Sequence, residues 1–199
     1  MPLLDLRTLD DGSRMGIWRM TENEEDLRLR FPQVGPEIEG FKSAARRLER
    51  LCVTALICEM TGHPDLVVHH NASGKPLIDG SSVSISHTRG YCAAIYNDNP
   101  NHRLGIDIEQ TGDRVRRIKK MFVRPDEDAV STLDLLCLWS AKETCYKYYS
   151  EDDLQYFEMR GRRVGDNLIE VENLKRKEAL RVGWEAMDDY VLTYSLPIL

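Results

Sequence analysis

The stretch that most constrains the fold is residues 103–109, in which apolar and polar side chains alternate. Three aliphatic residues alternate with a glycine and two acids: Leu104, Gly105, Ile106, Asp107, Ile108 and Glu109. A period of two predicts a β-strand with one buried face. Asp107 and Glu109 would then project together from the opposite face. Adjacent carboxylates repel unless a cation lies between them, and Mg²⁺ prefers such oxygen ligands. From these residues alone, a strand with a solvated acidic face is the simpler interpretation.

Composition limits the classes of protein to consider. A chain of 199 residues, 42% hydrophobic and 30% charged, is typical of a globular protein with one large domain or two small ones. The net charge of −6 argues against a general nucleic-acid binder. The N-terminus lacks the basic start of a signal peptide, and no apolar run approaches membrane-spanning length. The five cysteines form no CxxC pair, so we expect reduced thiols in a cytoplasmic protein.

Apolar spacing predicts the elements of the first half. Residues 21–24 are typical of a capping box that opens a helix ending near Phe31. Between residues 41 and 62 apolar side chains recur at helical spacing, and Gly62 ends that helix. A turn over residues 71–76 leads to two tightly joined strands, residues 83–87 and 91–96.

In the second half, Asp113 is placed to cap a helix, and a longer helix is predicted from about residue 126 to residue 149. The remainder predicts strands, with turns near Gly161, at residues 165–167 and at residues 188–189.

The two halves resemble each other in sequence. Residues 14–17 echo residues 103–106, and residues 90–94 echo residues 189–193. The order of these echoes predicts a duplicated α+β unit, with halves at residues 1–100 and 101–199. In that alignment Trp18 and Met20 take the places of Asp107 and Glu109. The strand can therefore be built without acids, which favours the metal interpretation.

A second informative stretch is WSAKETCYK, residues 139–147, on the long helix. Glu143 and Lys147 lie one turn apart, and an i,i+4 ion pair is a sufficient explanation for them alone. A third carboxylate beside Asp107 and Glu109 would instead complete a Mg²⁺ site, and Lys142 and Lys147 would neutralise phosphate oxygens.

Together, GIDIE at residues 105–109 and the helix stretch at residues 139–147 resemble the paired motifs of the 4'-phosphopantetheinyl transferases. The flanking sequence is similar too, with GKP at residues 74–76, SISHT at residues 84–88, and residues 118–122 followed by Glu127. Order and spacing resemble the pseudo-dimeric, surfactin-synthetase-activating type. The resemblance implies an α+β fold of two similar halves related by a pseudo-twofold axis, with coenzyme A bound between them.

The implied activity is transfer of the 4'-phosphopantetheine arm of coenzyme A to a serine hydroxyl of an apo acyl or peptidyl carrier protein. Adenosine 3',5'-bisphosphate would leave, and Mg²⁺, with Mn²⁺ as a substitute, would bind the pyrophosphate. We expect a monomer without a nucleic-acid or membrane partner. Two alternatives stay open: a catalytically silent relative that binds coenzyme A or a carrier protein, and a Mg²⁺-dependent nucleotide pyrophosphate hydrolase.

The resemblance also implies roles for individual residues. The metal ligands would be Asp107, Glu109 and Glu143. Either Glu143 or a water held by the acids would accept the serine proton, and Lys147 would hold phosphate and assist proton movement. The coenzyme A ligands would be Lys75, Pro76, Ser86, His87, Lys142, Lys147 and Arg46, with Arg47 as the alternative to Arg46. Without the family context, His87 is interpreted as a hydrogen-bonded residue at a strand end.

Six basic residues lie in a stretch without acids: Arg114, Arg116, Arg117, Lys119, Lys120 and Arg124. Such a run is typical of a solvated helix face. Carrier proteins are typically acidic around their modified serine, so a docking surface is the alternative hypothesis.

Overall fold

The computed structural model describes residues 2–71 and 74–197. The chain divides into two compact units, Met1–His102 and Arg103–Leu199. Each unit packs helices against an antiparallel β-sheet, so the α+β class predicted from the sequence is confirmed. In the described ranges, no helix is both long enough and apolar enough to cross a membrane.

The described residues of the first unit form a four-stranded sheet, a short two-stranded sheet and three helices. Its strands are β1 (Leu3–Thr8), β2 (Arg14–Arg19), β3 (His69–His70), β4 (Pro76–Leu77), β5 (Ser82–Thr88) and β6 (Tyr91–Asn97). Its helices are α1 (Glu24–Arg30), α2 (Gly35–Ile38) and α3 (Ala44–Thr61), with a 3₁₀ turn at Pro32–Val34. The strand order is β1-β2-β6-β5, and β3 pairs with β4.

Helix α3 is the centre of the first unit and packs against β2 and β6. Ser43 caps its start by accepting a hydrogen bond from the Arg46 amide, and Gly62 ends it in the left-handed region at φ +72°. The helix passes very close to β2 at Gly16. A Cβ atom there would lie 2.8 Å from Leu56 Cδ1, so the residue has to be small.

In the second unit, the part of the chain that the structure describes forms one five-stranded antiparallel sheet with two helices. Its elements are β7 (Ile106–Gln110), α4 (Arg114–Phe122), α5 (Thr132–Tyr148), a 3₁₀ turn (Tyr156–Glu158), β8 (Met159–Gly165), β9 (Leu168–Asn173), β10 (Glu178–Ala186) and β11 (Tyr190–Ser195). The strand order is β7-β11-β10-β9-β8, and α5 crosses the sheet.

Strand β7 is more deeply buried than the alternating pattern predicts. Ile106 and Ile108 are buried as expected, but Asp107 is only 4% exposed. A solvated acidic face is therefore wrong for Asp107. A carboxylate buried to this extent needs partners that compensate for its lost hydration.

The start of the long helix also differs from the prediction. Helix α5 begins at Thr132 rather than near residue 126, because Ser131 and Asp134 form a reciprocal capping box. Gly161, predicted in a turn, lies within β8. A Cβ atom there would be 2.3 Å from Leu138 Cδ1, so its small size serves packing against α5.

Smaller corrections concern caps and strand β1. Helix α1 is capped by Asn23, which accepts from the Glu25 amide, and not by a box opening at Thr21. Asp113 precedes α4 but makes no side-chain cap bond. Strand β1 was not predicted from the sequence. The predicted turn at residues 71–76 includes Ala72 and Ser73, which lie outside the described residues.

Candidate functional site

The two sequence motifs of the second unit meet at Asp107. Its Oδ1 accepts a hydrogen bond from Lys147 Nζ at 2.8 Å, and its Oδ2 accepts one from Ser140 Oγ at 2.8 Å. Lys147 Nζ also donates to the carbonyl oxygen of Ile106 at 2.8 Å. Asp107 is thus held by two side chains of α5. Both lie on the face of the helix that points at β7.

A glycine makes this approach of helix and strand feasible. A Cβ atom on Gly105 would lie 2.2 Å from the carbonyl oxygen of Thr144, a backbone atom of α5 that cannot rotate away. Any larger residue would push the helix from the start of β7. Lys147 and Ser140 would then lose their hydrogen-bonding distance to Asp107.

Three hydroxyl groups extend the network behind Asp107. Ser140 Oγ lies 2.8 Å from Thr193 Oγ1, which lies 2.7 Å from Thr144 Oγ1. Since Ser140 donates its proton to Asp107, it accepts from Thr193, which in turn accepts from Thr144. Hydroxyls aligned in this way polarise one another toward the carboxylate.

The other two predicted acids flank this pair, each held by an aromatic side chain. Glu109 Oε1 accepts from Trp139 Nε1 at 2.8 Å, and Glu143 Oε1 accepts from Tyr156 OH at 2.6 Å. Burial raises the pKa of Glu109, and the negative charge of Asp107 raises it further. Burial and the charge of Asp107 likewise raise the pKa of Glu143, against the opposing hydrogen bond from Tyr156. The three carboxylates are therefore close enough to repel one another.

The donor chemistry of this cluster fits Mg²⁺, a hard ion that prefers carboxylate oxygens. When ionised, the three acids face the ammonium of Lys147 and carry more negative charge than it neutralises. The hydrogen bonds to Glu109 and Glu143 use Oε1 and do not engage Oε2. Among the described residues, however, no group of three or more His, Cys, Asp or Glu side chains stands in an arrangement that could hold a metal ion.

The lysines of the helix motif have different surroundings. Lys147 pairs with Asp107 and not with Glu143, so the simple i,i+4 ion pair is not what the structure contains.

Lys142 is completely buried, and burial lowers its pKa. Its Nζ donates to Glu127 Oε2 at 2.9 Å, to the Phe122 carbonyl oxygen at 2.6 Å and to the Tyr156 carbonyl oxygen at 3.2 Å. These acceptors match the three donors of an ammonium, whereas the sequence predicted a phosphate contact.

Three of the predicted coenzyme A ligands of the first unit line a cavity of about 290 Å³. Its lining includes Arg46, Arg50, His70, Pro76 and His87. Arg50 hydrogen-bonds His70 and pairs with Glu37. His87 is half exposed, with its Nδ1 3.7 Å from Glu49 Oε2. The lining is rich in cationic and ionisable nitrogen groups, which suits an anionic ligand.

The structure distinguishes the two adjacent arginines. Arg46 lines the cavity, whereas Arg47 donates to Glu24 at 2.7 Å and to the Phe41 carbonyl oxygen at 2.8 Å. Ser86 is buried in β5, and Lys75 lies beside the cavity residues Gly74 and Pro76. Among the described residues, neither Ser86 nor Lys75 belongs to the cavity lining.

Several residues of both sites were missed by sequence reasoning. In the second unit they are Trp139, Ser140, Thr144, Tyr156 and Thr193, and in the first unit Glu49, Arg50 and His70. One signal was available: Ser140, Thr144 and Lys147 recur at helical spacing and form a polar stripe along the helix. Thr193 and Tyr156 carry no comparable signal, because tertiary structure alone brings them to the acids.

The resemblance to the 4'-phosphopantetheinyl transferases rests on these short motifs. Neither a scan against protein-family models nor a search of curated proteins finds a match to the chain. Membership of that family therefore stays a prediction, to be judged by the chemistry of the site.

Proposed function

We propose that the protein is a Mg²⁺-dependent transferase that moves the 4'-phosphopantetheine arm of coenzyme A to a serine of an apo carrier protein. The observation that supports this most strongly is electrostatic: the charge of Asp107, which pairs with Lys147, raises the pKa of both Glu109 and Glu143, although the acids come from two distant stretches of sequence. Mutually repelling, partly desolvated carboxylates are costly in a fold unless a cation binds them.

The chemistry of the reaction matches these residues. Attack on a diphosphate develops negative charge on several oxygens, so positioning and cationic stabilisation supply most of the catalysis. Mg²⁺ held by the three acids would neutralise diphosphate charge. Lys147 supplies a positive charge beside Asp107. Glu143 has a raised pKa, which suits a group that accepts the serine proton near neutral pH.

The cavity of the first unit is our candidate for the nucleotide end of coenzyme A. Arg46 supplies positive charge and His87 a ring N–H donor for its phosphates, with His87 assigned to the 3'-phosphate. Pro76 stiffens the chain at the cavity wall. His87→Ala is expected to raise the KM for coenzyme A without weakening Mn²⁺ binding to the protein.

The exposed face of α4 is our candidate surface for the carrier protein. Val115 and Phe122 are buried and Ile118 packs partly against the core, whereas the basic side chains of the helix are exposed. Arg116 is held by Thr132 and Asp113, and Arg124 by Asp126. Within the described structure, four other cations have no ion-pair partner: Arg114, Arg117, Lys119 and Lys120. An acidic carrier helix would complement them.

Reversing Arg117 and Lys120 to glutamate tests this surface. The KM for carrier protein should rise at least about tenfold, since charge reversal at an interface replaces attraction by repulsion. The KM for coenzyme A should stay unchanged. A control variant reverses two exposed cations of the same unit: Lys177, in the turn before β10, and Arg181, in β10. An unaltered KM for carrier protein in the α4 variant would contradict the docking role.

We also propose that the two units are copies of one ancestral α+β unit related by a pseudo-twofold axis. Gly16 and Gly105, which the sequence echo aligns, both lie where a long helix passes too close for a side chain. A duplicated chain would act as a monomer. The five cysteines are all unpaired and buried, which suits the reducing cytoplasm.

One experiment decides the activity. The protein is incubated with coenzyme A, Mg²⁺ and several apo carrier proteins, and the carriers are then analysed by mass spectrometry. A gain equal to phosphopantetheine supports the proposal. Nucleotide release without that gain would indicate a pyrophosphate hydrolase, and neither product would indicate a silent relative.

A further inference from the structure

We infer that the buried Lys142–Glu127 ion pair is a brace that positions Tyr156 and, through the tyrosine hydroxyl, the carboxylate of Glu143. Lys142 is then a positioning residue and does not contact a phosphate. This inference deepens the proposed function and rests on it.

The first step is the position of the Lys142 ammonium. It joins three segments: the end of α4 through the Phe122 carbonyl, the following loop through Glu127, and the 3₁₀ turn through the Tyr156 carbonyl. Both side chains of the ion pair are fully buried. Its hydrogen bonds are therefore not exchanged with solvent, and the three segments are fixed relative to α5.

The second step is that Glu127 is itself held. Its Oε1 accepts from the Gly161 amide at 2.7 Å, and its Oε2 accepts from the Arg124 amide at 2.8 Å. The carboxylate thus cannot follow the ammonium into another position without losing backbone hydrogen bonds. A carboxylate fixed on both oxygens gives Lys142 a rigid partner.

The third step links the brace to the acids. Tyr156 accepts from Lys142 with its backbone carbonyl and donates its hydroxyl to Glu143 at 2.6 Å. Its ring packs against Trp139, with 4.9 Å between ring centroids, and Trp139 donates to Glu109. Tyr156 therefore holds Glu143 directly and contacts Trp139, which holds Glu109. Groups that orient metal ligands typically affect metal affinity by 10- to 100-fold.

The test uses the double variant Lys142→Met with Glu127→Gln. Removing Lys142 alone would leave a buried unpaired carboxylate and threaten folding, which the second substitution avoids. Mn²⁺ is titrated into the free protein by calorimetry, without coenzyme A, and transfer kinetics are measured separately. We expect the Mn²⁺ dissociation constant to rise about tenfold and kcat to fall, with the KM for coenzyme A unchanged. A raised KM for coenzyme A with unaltered Mn²⁺ affinity would show a phosphate contact and overturn the brace.

A coupling measurement sharpens the test. Tyr156→Phe removes the hydroxyl that connects the brace to Glu143. In that background the double substitution should weaken Mn²⁺ binding by no more than about twofold, because coupled residues are not additive. A full additional tenfold loss would contradict the route through Tyr156. Lys175→Met is the matched control, since Lys175 also donates to two backbone carbonyls and pairs with a glutamate, Glu158. It should leave Mn²⁺ affinity unchanged.

Failure of the proposed function would look different. If the wild-type chain neither binds Mn²⁺ nor modifies a carrier, the proposed function is wrong, and the brace is judged from the tyrosine alone. In protein labelled with fluorotyrosine, the Tyr156 resonance is assigned by its loss in Tyr156→Phe. A shift of that resonance in the double variant supports the brace, and an unmoved resonance overturns it.

Discussion

The two units solve the same packing problem with opposite chemistry. Each lays a long helix across an antiparallel sheet and places a glycine, Gly16 or Gly105, where the two elements are closest. Beside Gly16 the neighbouring atoms belong to the flexible side chains of Leu56 and Met60. Beside Gly105 the nearest atom is a helix carbonyl oxygen, and the surrounding side chains are hydroxyls and charges.

Trp18 and Asp107 show what this difference means. The sequence echo aligns them, and both are buried. Trp18 pairs across the sheet with Cys92, and Asp107 pairs with Thr193. The sequence echo matches Cys92 to Val191, so the partner of Asp107 lies two residues further along the strand than the echo predicts. A shift of two keeps the same face of the strand. An apolar strand is thus sufficient for this construction, and the charged version needs a reason beyond folding.

The largest expected effect comes from removing the charge of Asp107. Asp107→Asn should lower transfer at least about 100-fold and abolish measurable Mn²⁺ binding, because the buried carboxylate is the centre of the cluster. Asp98→Asn is the control in the first unit, since Asp98 also forms an ion pair, with Arg14 of β2 at 3.0 Å. It should leave both measurements unchanged. Near-normal turnover in Asp107→Asn would remove the functional meaning of the comparison.

The two glycines should respond unequally to an added methyl group. Gly105→Ala sets a Cβ against backbone and should lower the free energy of unfolding by about 3 kcal/mol. Gly16→Ala meets side chains that can rotate and should cost about 1 kcal/mol. Urea denaturation of both variants provides the values. Equal costs would mean that α5 can move away from β7 as easily as α3 can yield.

A pH titration tests whether the acids of the second unit bind the metal. The pKa values of Glu109 and Glu143 are raised above the usual 4.5, so both bind protons more tightly in the folded chain than in the unfolded chain. Their ionisation therefore costs stability as the pH rises from about 4.5 through the raised values. Protons compete with metal for the same carboxylates. As the pH is lowered, Mn²⁺ affinity should therefore fall about tenfold per pH unit for each glutamate that becomes protonated. Calorimetry across this range checks the slope, and Glu109→Gln should make it shallower. A flat profile would contradict ligation by these acids.

The smallest effect distinguishes two tryptophans. Trp139 donates its indole N–H to Glu109, whereas Trp18 Nε1 has no acceptor in the described structure. Trp139→Phe should therefore weaken Mn²⁺ binding about threefold, near the value of one modest hydrogen bond. Trp18→Phe should change stability but not Mn²⁺ affinity. Equal affinity losses would mean that packing, not the hydrogen bond, supports Glu109.

Much of the framework could be predicted from local patterns. The helix ending at Gly62, the strands around residues 83–96 and the strand carrying Asp107 follow from periodicity and end signals. The start of α5 could not, because Glu127 looks like a helix residue until tertiary structure recruits it to Lys142. Gly161 resembles a turn residue, yet it lies in a strand because Leu138 leaves no room for a side chain.

The candidate site, too, was only partly predictable from the sequence. The resemblance of the two motifs to a known family, rather than their spacing, was the basis for predicting that Glu143 and Lys147 approach the acids of β7. It was not sufficient to predict that Lys142, next in sequence to Glu143, points to the interior. Helix α5 carries apolar residues on several sides, so its pattern does not tell which of two adjacent polar residues is exposed. Lysine is also rarely buried in the absence of a partner that only the fold supplies.

The hydrogen bond from the Gly161 amide to Glu127 has a further consequence for the behaviour of the protein in concentrated solution. Strand β8 is the last strand of its sheet, and a bare outer strand offers amide groups to which strands of other molecules add. The Gly161 amide of β8 already donates to the fixed carboxylate of Glu127, so it is not available to a strand of another molecule. This disfavours sheet-to-sheet association of separate molecules.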